Sequence, residues 1–488
     1  MRRLRQNNAF AFTFALIFLA MIIAFLTVFV FAVVNGISEA NRLDESKKAY
    51  YTAEAGLADA YERIVNAGFA TFASSTCSNS NIPSTCTTPF VPSSTTDNGV
   101  YAVGSVNGSY TVSLVYSGSP RTNYVITSQG TYGNVTRTLQ LKMIAASFSR
   151  YAYWSQTEVN PQLGKLWWIS GMLTTGPVQT NGSFNIFGNP VFNGAVAEVG
   201  SSPDYYYGTG TDPTSSTKSD PSYIFPDGLT NNAPAINLPP TSTLANFKTG
   251  ATNGGLTLTG ASTVTFNSNG TINVTGKVVN SSCQTTANYN NTTMNIPASG
   301  VVYVQSTKTI SACKSSSSDG NVTVQGTVNG QLTVAADQNV YISGNVQYNS
   351  NPTTNPSSTD MVGLVAYNNV TVIEADAPAQ LAVQGVIVAL GGSFDVDQYS
   401  KNPDPTGNSS APDGANMYQF GSLVNYASGC TGIVNSSGQL IDGWNQIQSY
   451  DTRLATLAPP SFPPLVNSAG QGVYVKLSIT ECFSGTCG

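Results

Sequence analysis

The sequence predicts an α+β protein that is mostly β. A long N-terminal helix packs on a small antiparallel sheet and carries a large β-solenoid-like domain. Three observations predict this fold class. An uncharged apolar run near the N-terminus continues into an amphipathic helical pattern. Alternating strands with tight turns follow, and after residue 148 short Val-rich strands recur with Gly or Asn at their ends. A chain of 488 residues suits two or three domains.

The apolar run extends from Phe12 to Val34 and contains no charged side chain. At about 1.5 Å per residue it makes roughly 35 Å of helix, which is enough to cross a hydrocarbon core of about 30 Å. The helix is expected to continue to Ala67. The apolar side chains expected on one face of this second half are Leu43, Tyr50, Leu57, Tyr61 and Ile64.

Composition indicates an extracytoplasmic protein without an obvious catalytic apparatus. Only 9% of the residues are charged, against a usual quarter, and Ser, Thr and Asn replace them. The 41% of apolar residues argues against disorder. Histidine is absent, which removes the commonest general base and the His-ligated metal sites, although Asp, Glu and Tyr chemistry stays open. We expect no cofactor and no enzymatic activity. A net charge of −5 does not favour nucleic acid as a partner.

The residues before the apolar run predict its orientation. Arg2, Arg3 and Arg5 stay in the cytoplasm by the positive-inside rule, so everything after Val34 is exported. The run is too long for an ordinary secretory signal and is either a signal anchor or a leader of the prepilin type.

Two stretches resemble those of pilins. Ala11-Phe12-Thr13-Phe14 resembles the Gly-Phe-Thr-Leu junction that prepilin peptidases cut, and Ala9-Phe10 is a competing site. Residues 49–61, AYYTAEAGLADAY, resemble the N-terminal region of PilX-type minor type IV pilins. With YVITSQGTYGNVTRTLQL, the resemblance extends from Arg2 to Ile144.

The resemblance implies a leader over residues 1–11, cleavage between Ala11 and Phe12, and a pilin helix over residues 12–67 with 12–34 in the membrane. The implied partners are other pilins or pseudopilins, the inner or cytoplasmic membrane before assembly, and prepilin peptidase. Leu16 stands fifth after the proposed cut, where major pilins carry Glu, so the resemblance implies a minor subunit at a filament tip. Ala53 and Gly56 are small enough for close packing, and Glu54 is interpreted as a packed structural carboxylate.

A small antiparallel sheet is expected over residues 68–147. Residues 68–99 read as a loop, and strands follow over 100–106, 109–117, 123–132 and 135–144. Asn107-Gly108 and Gly133-Asn134 are hairpin signals. A last strand over residues 472–480, within the C-terminal segment 466–488, is proposed to return to this sheet.

Residues 148–465 are predicted to form the β-solenoid-like domain, with a sandwich as the alternative. GPVQTNG with GNPVFNG, MVGLVAY, and YDTRL with PPSFP resemble the large domain of big PilX-type proteins, and the plan is ComZ-like, a small pilin body with a large inserted domain. Gln179 stands where that domain often has His.

Candidate sites are few. Nearest-neighbour spacing suggests the disulfides Cys77–Cys86, Cys283–Cys313 and Cys482–Cys487, which leaves Cys430 alone.

Asp395 and Asp397 alternate onto one face of a strand and are weak Ca²⁺ candidates, with a solvated turn as the plainer reading. A loop with Asp404, Asn408 and Asp413 is a second weak candidate. Aromatic clusters that could stack on sugars but are more often core are Trp167-Trp168 and Tyr205-Tyr206-Tyr207. Asp451 and Arg453 are expected to form a structural corner.

The resulting hypothesis is a minor pilin or pseudopilin of a type IV pilus or type II secretion-like system. Its head would serve in adhesion or in capture of an unidentified extracellular ligand at the cell surface, with DNA disfavoured by the charge. One alternative is a signal-anchored surface protein outside any filament. Another is a polysaccharide-active β-helix enzyme, which would need an acidic groove around Asp395.

Overall fold

The computed structural model of the chain describes residues 3–71, 86–90, 100–103, 106–117, 123–206, 220–238, 243–314, 319–397, 415–434, 440–467 and 472–482. In these residues the protein is mostly β with one long N-terminal helix, as the sequence predicts. The helix and one antiparallel sheet form a first module. The described residues between 146 and 465 form a larger β domain, called the head below.

The helices and strands have the following bounds. The helices are α1 Arg3–Thr71, α2 Pro221–Ile224 and α3 Leu244–Thr252, and 3-10 turns lie at Phe148–Arg150, Thr307–Thr309, Glu374–Asp376 and Thr452–Ala455. The first strands are β1 Cys86–Phe90, β2 Val100–Val103, β3 Val106–Ser117, β4 Asn123–Tyr132, β5 Val135–Ala145, β6 Tyr153–Thr157, β7 Val159–Asn160, β8 Gly164–Lys165, β9 Trp168–Ile169, β10 Leu173–Thr175, β11 Val178–Thr180, β12 Asn185–Phe187, β13 Val191–Asn193, β14 Val196–Glu198, β15 Asp204–Tyr205, β16 Leu229–Thr230 and β17 Ile236–Asn237. The later strands are β18 Leu256–Phe266, β19 Thr271–Val279, β20 Thr285–Asn295, β21 Val301–Gln305, β22 Val322–Val328, β23 Gln331–Ala336, β24 Val340–Tyr348, β25 Met361–Ala366, β26 Val370–Val372, β27 Gln380–Ala389, β28 Phe394–Val396, β29 Asn416–Ala427, β30 Gly432–Val434, β31 Leu440–Gly443, β32 Asn445–Ser449, β33 Val466–Asn467 and β34 Tyr474–Cys482.

The helix α1 is unbroken and extends past its predicted end at Ala67. Its side chains from Phe10 to Asp44 are exposed, and burial begins where the helix meets the sheet. Leu57 and Ile64 are buried there, as the amphipathic pattern predicts. The prediction for Leu43 is wrong, because this residue lies before the sheet and is exposed. Tyr50 and Tyr61 are partly buried against the same cluster. Small residues that the apolar pattern does not single out are buried beside them: Ala49, Thr52, Ala53, Gly56 and Ala60.

The sheet of the first module is antiparallel, in the spatial order β1-β3-β4-β5-β34, with β2 paired to β3. Two details of the prediction are wrong. The expected loop over residues 68–99 contains β1, which pairs with β3. The expected turn at Asn107-Gly108 lies inside β3, where a Cβ on Gly108 would come 2.6 Å from the hydroxyl oxygen of Thr52 on α1. Gly108 therefore serves close packing of helix on sheet, not a turn.

The last strand, β34, pairs with β5 from Tyr474 opposite Ala145 to Cys482 opposite Thr138. The head therefore lies between two neighbouring strands of one sheet. Its entry and exit also touch, because the Leu465 amide donates to the Ala146 carbonyl at 2.6 Å.

Most head strands stack in parallel in three rows, whereas β19 and β20 add an antiparallel hairpin to β18 and three short strand pairs are also antiparallel. Row A is β18, β21, β23, β25, β27, β29, β6, β11, β14 and β16, in that spatial order. Row B is β18, β22, β24, β26 and β28, with β9, β12 and β15 as a separate group. Row C is β22, β24, β27, β29, β32, β10 and β13. The sandwich alternative predicts antiparallel sheets, which these ladders are not.

Some strands bend and belong to two rows. Residues 256–259 of β18 pair with β21 in row A, whereas residues 262–266 pair with β22 in row B. The bend lies at Gly260, whose φ is +82°. In the same way β27 and β29 pass together from row C to row A, with Gly385 opposite Gly421.

The spatial order of the layers differs from the chain order. The chain enters at β6 in the middle of row A, proceeds outward to β16, and starts again from β18 at the opposite end. It then returns through β29, which pairs with β6 from Leu423 opposite Tyr153 to Ala427 opposite Thr157. In row C, β32 meets β10 in the same manner. The head therefore closes only when its latest strands stack on its earliest ones.

Glycines line the corner between row C and row A. Gly176, Gly194, Gly385 and Gly421 have φ of +108°, +136°, +138° and +137°. A Cβ on Gly421 would collide with the carbonyl oxygen of Gly385, and one on Gly194 with that of Gly176. Both the backbone conformation and the layer spacing require glycine at this corner.

We expect Gly421→Ala to destabilise the head by at least about 2 kcal/mol, because it adds a collision to an unfavourable φ. Gly164→Ala is the matched control, since Gly164 has a φ of +79° with no atom within 4 Å of its added Cβ. Urea unfolding of the full chain in detergent measures the free energy of unfolding of both variants. An equal loss in the two variants would contradict the close approach.

Candidate functional site

The first candidate is the exposed apolar half of α1. Among the described residues, the stretch Phe10–Glu62 is the one helix long and apolar enough to cross a membrane, with a mean hydropathy of 3.1 in its most apolar window. That window is unburied. The proposed cut between Ala11 and Phe12 lies inside the same unbroken helix.

The second half of α1 is held tightly against the sheet. A Cβ on Gly130 of β4 would lie 2.5 Å from the carbonyl oxygen of Ala49 and 2.7 Å from Cα of Ala53. A Cβ on Gly56 would lie 2.8 Å from the ring of Tyr110. Glycine on both partners lets the backbones approach, which fixes the direction in which the apolar half projects. Glu54 is exposed, so its interpretation as a packed carboxylate is wrong.

The acidic pair of the sequence does not form an open site. Asp395 is buried in β28 and accepts hydrogen bonds from Thr371 Oγ1 at 2.6 Å and Asn369 Nδ2 at 3.3 Å. Asp397 accepts from the Glu374 amide at 3.2 Å. Within the described residues no group of three or more acidic or Cys side chains could hold a metal ion. Asp404, Asn408 and Asp413 lie outside the described residues.

Some of the cysteines lie within the described residues and others lie outside them. Cys283, in the turn that joins β19 to β20, forms a disulfide with Cys313, and their Cα atoms are 5.2 Å apart. Cys482 takes part in a disulfide. Cys77 and Cys487 lie outside the described residues, so the pairings Cys77–Cys86 and Cys482–Cys487 stay predictions.

The aromatic clusters divide between core and surface. Trp168 is buried, whereas Trp167 is half-buried with its ring 5.2 Å from that of Tyr206. Tyr205 packs against the core, and Tyr207 lies outside the described residues. The predicted corner is present, with Arg453 Nη2 2.6 Å from Asp451 Oδ2 and Arg453 donating to the carbonyls of Ser358 and Asp360.

A cavity of about 180 Å³ lies where the early and late layers meet. Its wall includes Tyr153, Trp168, Phe394, Trp444 and Cys430, and none of its lining residues is charged. Cys430 is a free thiol, and burial raises its pKa to about 11, which favours the neutral form.

A buried carboxylate, which the sequence did not predict, lies next to this cavity. Glu158 is 1% exposed. Its carboxylate accepts from the Tyr153 hydroxyl and the Trp168 indole N–H, each at 3.1 Å, and from the Ser155 hydroxyl. Burial raises its pKa, although these hydrogen bonds act in the opposite direction. Glu198, buried two layers on, also has a raised pKa because of burial. A single Glu in a β-rich stretch gave no sequence signal.

Comparisons with known proteins add little. A family model described as a domain of unknown function, DUF4900, matches residues 119–201, which contain β4, β5 and the first head layers. No curated protein matches. The crystal structure of competence-associated pilin ComZ from Thermus thermophilus matches with a TM-score of 0.30 and 12% identity, over 90% of this chain and 97% of that one. A TM-score of 0.30 supports no inference about fold or function.

We expect Glu158→Gln to flatten the pH dependence of head stability. The folded state raises the pKa of Glu158 above the unfolded value of about 4.3, so it binds the proton more tightly. The stabilising contribution is complete below the unfolded pKa and is lost as pH rises through the folded one. Unfolding midpoints from pH 4 to pH 7 should therefore fall less in the variant.

The exposed Glu54→Gln is the control and should keep the wild-type slope. A Glu158→Gln slope equal to that of the wild type would show that Glu158 does not titrate abnormally.

Proposed function

We propose that the chain is a minor pilin or pseudopilin of a type IV pilus or type II secretion-like system, placed at the filament tip. In this proposal α1 anchors the protein in the membrane before assembly and enters the filament core afterwards. The head makes the external contact in adhesion or ligand capture. The observation that best supports this proposal is the division of α1 into an exposed apolar half and a half that is packed on a sheet.

A simple anchor does not need that division. It can end at the membrane edge and leave a separate folded domain behind it. Here the same unbroken helix continues into the module and packs through Gly56 against β3 and β4. The apolar half therefore projects from the module in a set direction, which suits insertion among the helices of other subunits.

We infer that the head is a β-solenoid. A closed path of parallel strands can be traced through β18, β21, β23, β25, β27, β24 and β22. The path closes because β18 turns a corner at Gly260 and β27 at Gly385, so each pairs in two rows. Strands that turn corners are layers wound around an axis, whereas barrel strands run along it.

In the part of the chain that the structure describes, two neighbouring connections join the module to the head. Both connections of the head lie at the β5–β34 pair, where Ala146 bonds to Leu465 and Val473. A head attached through two adjacent connections can be carried outside a filament without interrupting the packing of α1.

N-terminal mass spectrometry of the mature protein tests the proposal. In cells with prepilin peptidase we expect a peptide that begins at Phe12, and a strain without the peptidase should keep Met1. Ala11→Gln should block this cleavage, whereas Ala9→Gln is the matched control and should leave it unchanged. A chain that begins at Met1 in both strains would contradict the filament proposal and favour the signal-anchored surface protein.

A further inference from the structure

The outer face of row C is a flat, uncharged surface. In β27, β29, β32, β10 and β13 the row C residues alternate between buried positions and outward positions that are half-buried or exposed. The outward side chains of neighbouring layers lie opposite each other because the strands are in register. They form lines that run across the strands. Within one line, successive side chains are about 4.8 Å apart, which is the distance between neighbouring strands.

The middle line is apolar and the two flanking lines are mostly polar. The middle line consists of Ala382, Tyr418, Ile447, Leu173 and Val191. One flanking line is Gln380, Asn416 and Asn445. The other is Gln384, Phe420, Ser449, Thr175 and Asn193. None of these side chains is charged.

Two of the amide side chains on the flanking lines are held in place by the backbone. The Gln384 side-chain oxygen accepts from the Tyr348 amide at 2.7 Å. Asn445 Nδ2 donates to the Gly171 carbonyl at 3.4 Å. The Tyr418 side chain, in contrast, is 45% exposed on the middle line. Amides held by the backbone beside an exposed aromatic ring suit recognition, because little side-chain freedom is lost on binding.

We propose that this face binds an uncharged polysaccharide, whose chain lies along the apolar line and across the strands. Sugar rings present C–H faces that pack on aromatic and aliphatic side chains, and hydroxyls at their edges that hydrogen-bond to amides and hydroxyls. An apolar line between two polar lines matches that pattern. The absence of Lys and Arg from these lines disfavours nucleic acid or an acidic glycan.

The face exists only in the closed head. The middle line passes from Ile447 of β32 to Leu173 of β10, where the latest layer meets an early one. The proposal deepens the adhesive role given above and rests on it only in that the head lies outside the cell.

Co-sedimentation of the full chain in detergent with cellulose and chitin particles, together with an array of neutral and acidic glycans, tests the proposal. We expect binding to at least one neutral glycan, insensitive to salt, and at least fivefold weaker in Tyr418→Ala. Ile447→Glu places a charge on the same line and should give a similar loss. Tyr426→Ala is the matched control, because Tyr426 lies on the same strand, 41% exposed, but beyond the row C residues.

The outcomes separate this proposal from the filament proposal. No binding to any neutral glycan, binding to acidic glycans alone, or full binding by folded Tyr418→Ala and Ile447→Glu would each overturn it. An equal loss in Tyr426→Ala would also overturn it. Neutral-glycan binding by a chain that still begins at Met1 would support this face while the filament proposal fails, and a processed chain without binding would show the reverse.

Discussion

The parallel ladder between β29 and β6 is the interaction on which the rest of the head depends. It stacks Leu423–Ala427 on Tyr153–Thr157 and thereby joins the last layers of the head to the first. The uncharged cavity and the apolar line of row C both lie across this closure. The same closure brings Leu465 back to Ala146, so that β34 can complete the sheet packed on α1.

Local patterns in the sequence predicted the local structure well. The apolar run predicted an unbroken helix, and Gly133-Asn134 predicted the hairpin between β4 and β5. The turn predicted at Asn107-Gly108 is wrong, because Gly108 allows close contact with Thr52 of α1 and does not form a turn. The order of the layers could not be predicted, since the pairing of β29 with β6 joins distant segments and leaves no local signal.

The candidate site residues also depend on contacts between distant segments, which the sequence does not reveal. Asp395 was a candidate because of its alternation with Asp397, but burial and the hydrogen bond from Thr371 make it structural. Glu158 was missed because its partners Tyr153 and Trp168 reach it only in the folded head. The outward groups of row C are ordinary strand residues, apolar side chains in one line and mostly Asn, Gln, Ser or Thr in the lines beside it. Only the register of five strands turns them into lines, so no single motif could reveal the face.

The proposed function requires that α1 leave the membrane for a filament core while the head stays outside. Quantitative mass spectrometry of filaments sheared from intact cells tests it most directly, with the same fraction from cells that lack the assembly motor as reference. We predict that the chain is recovered with the sheared filaments at a small fraction of the major subunit, and that it is absent from the reference. Recovery in the membrane fraction alone, from both kinds of cell, would contradict it.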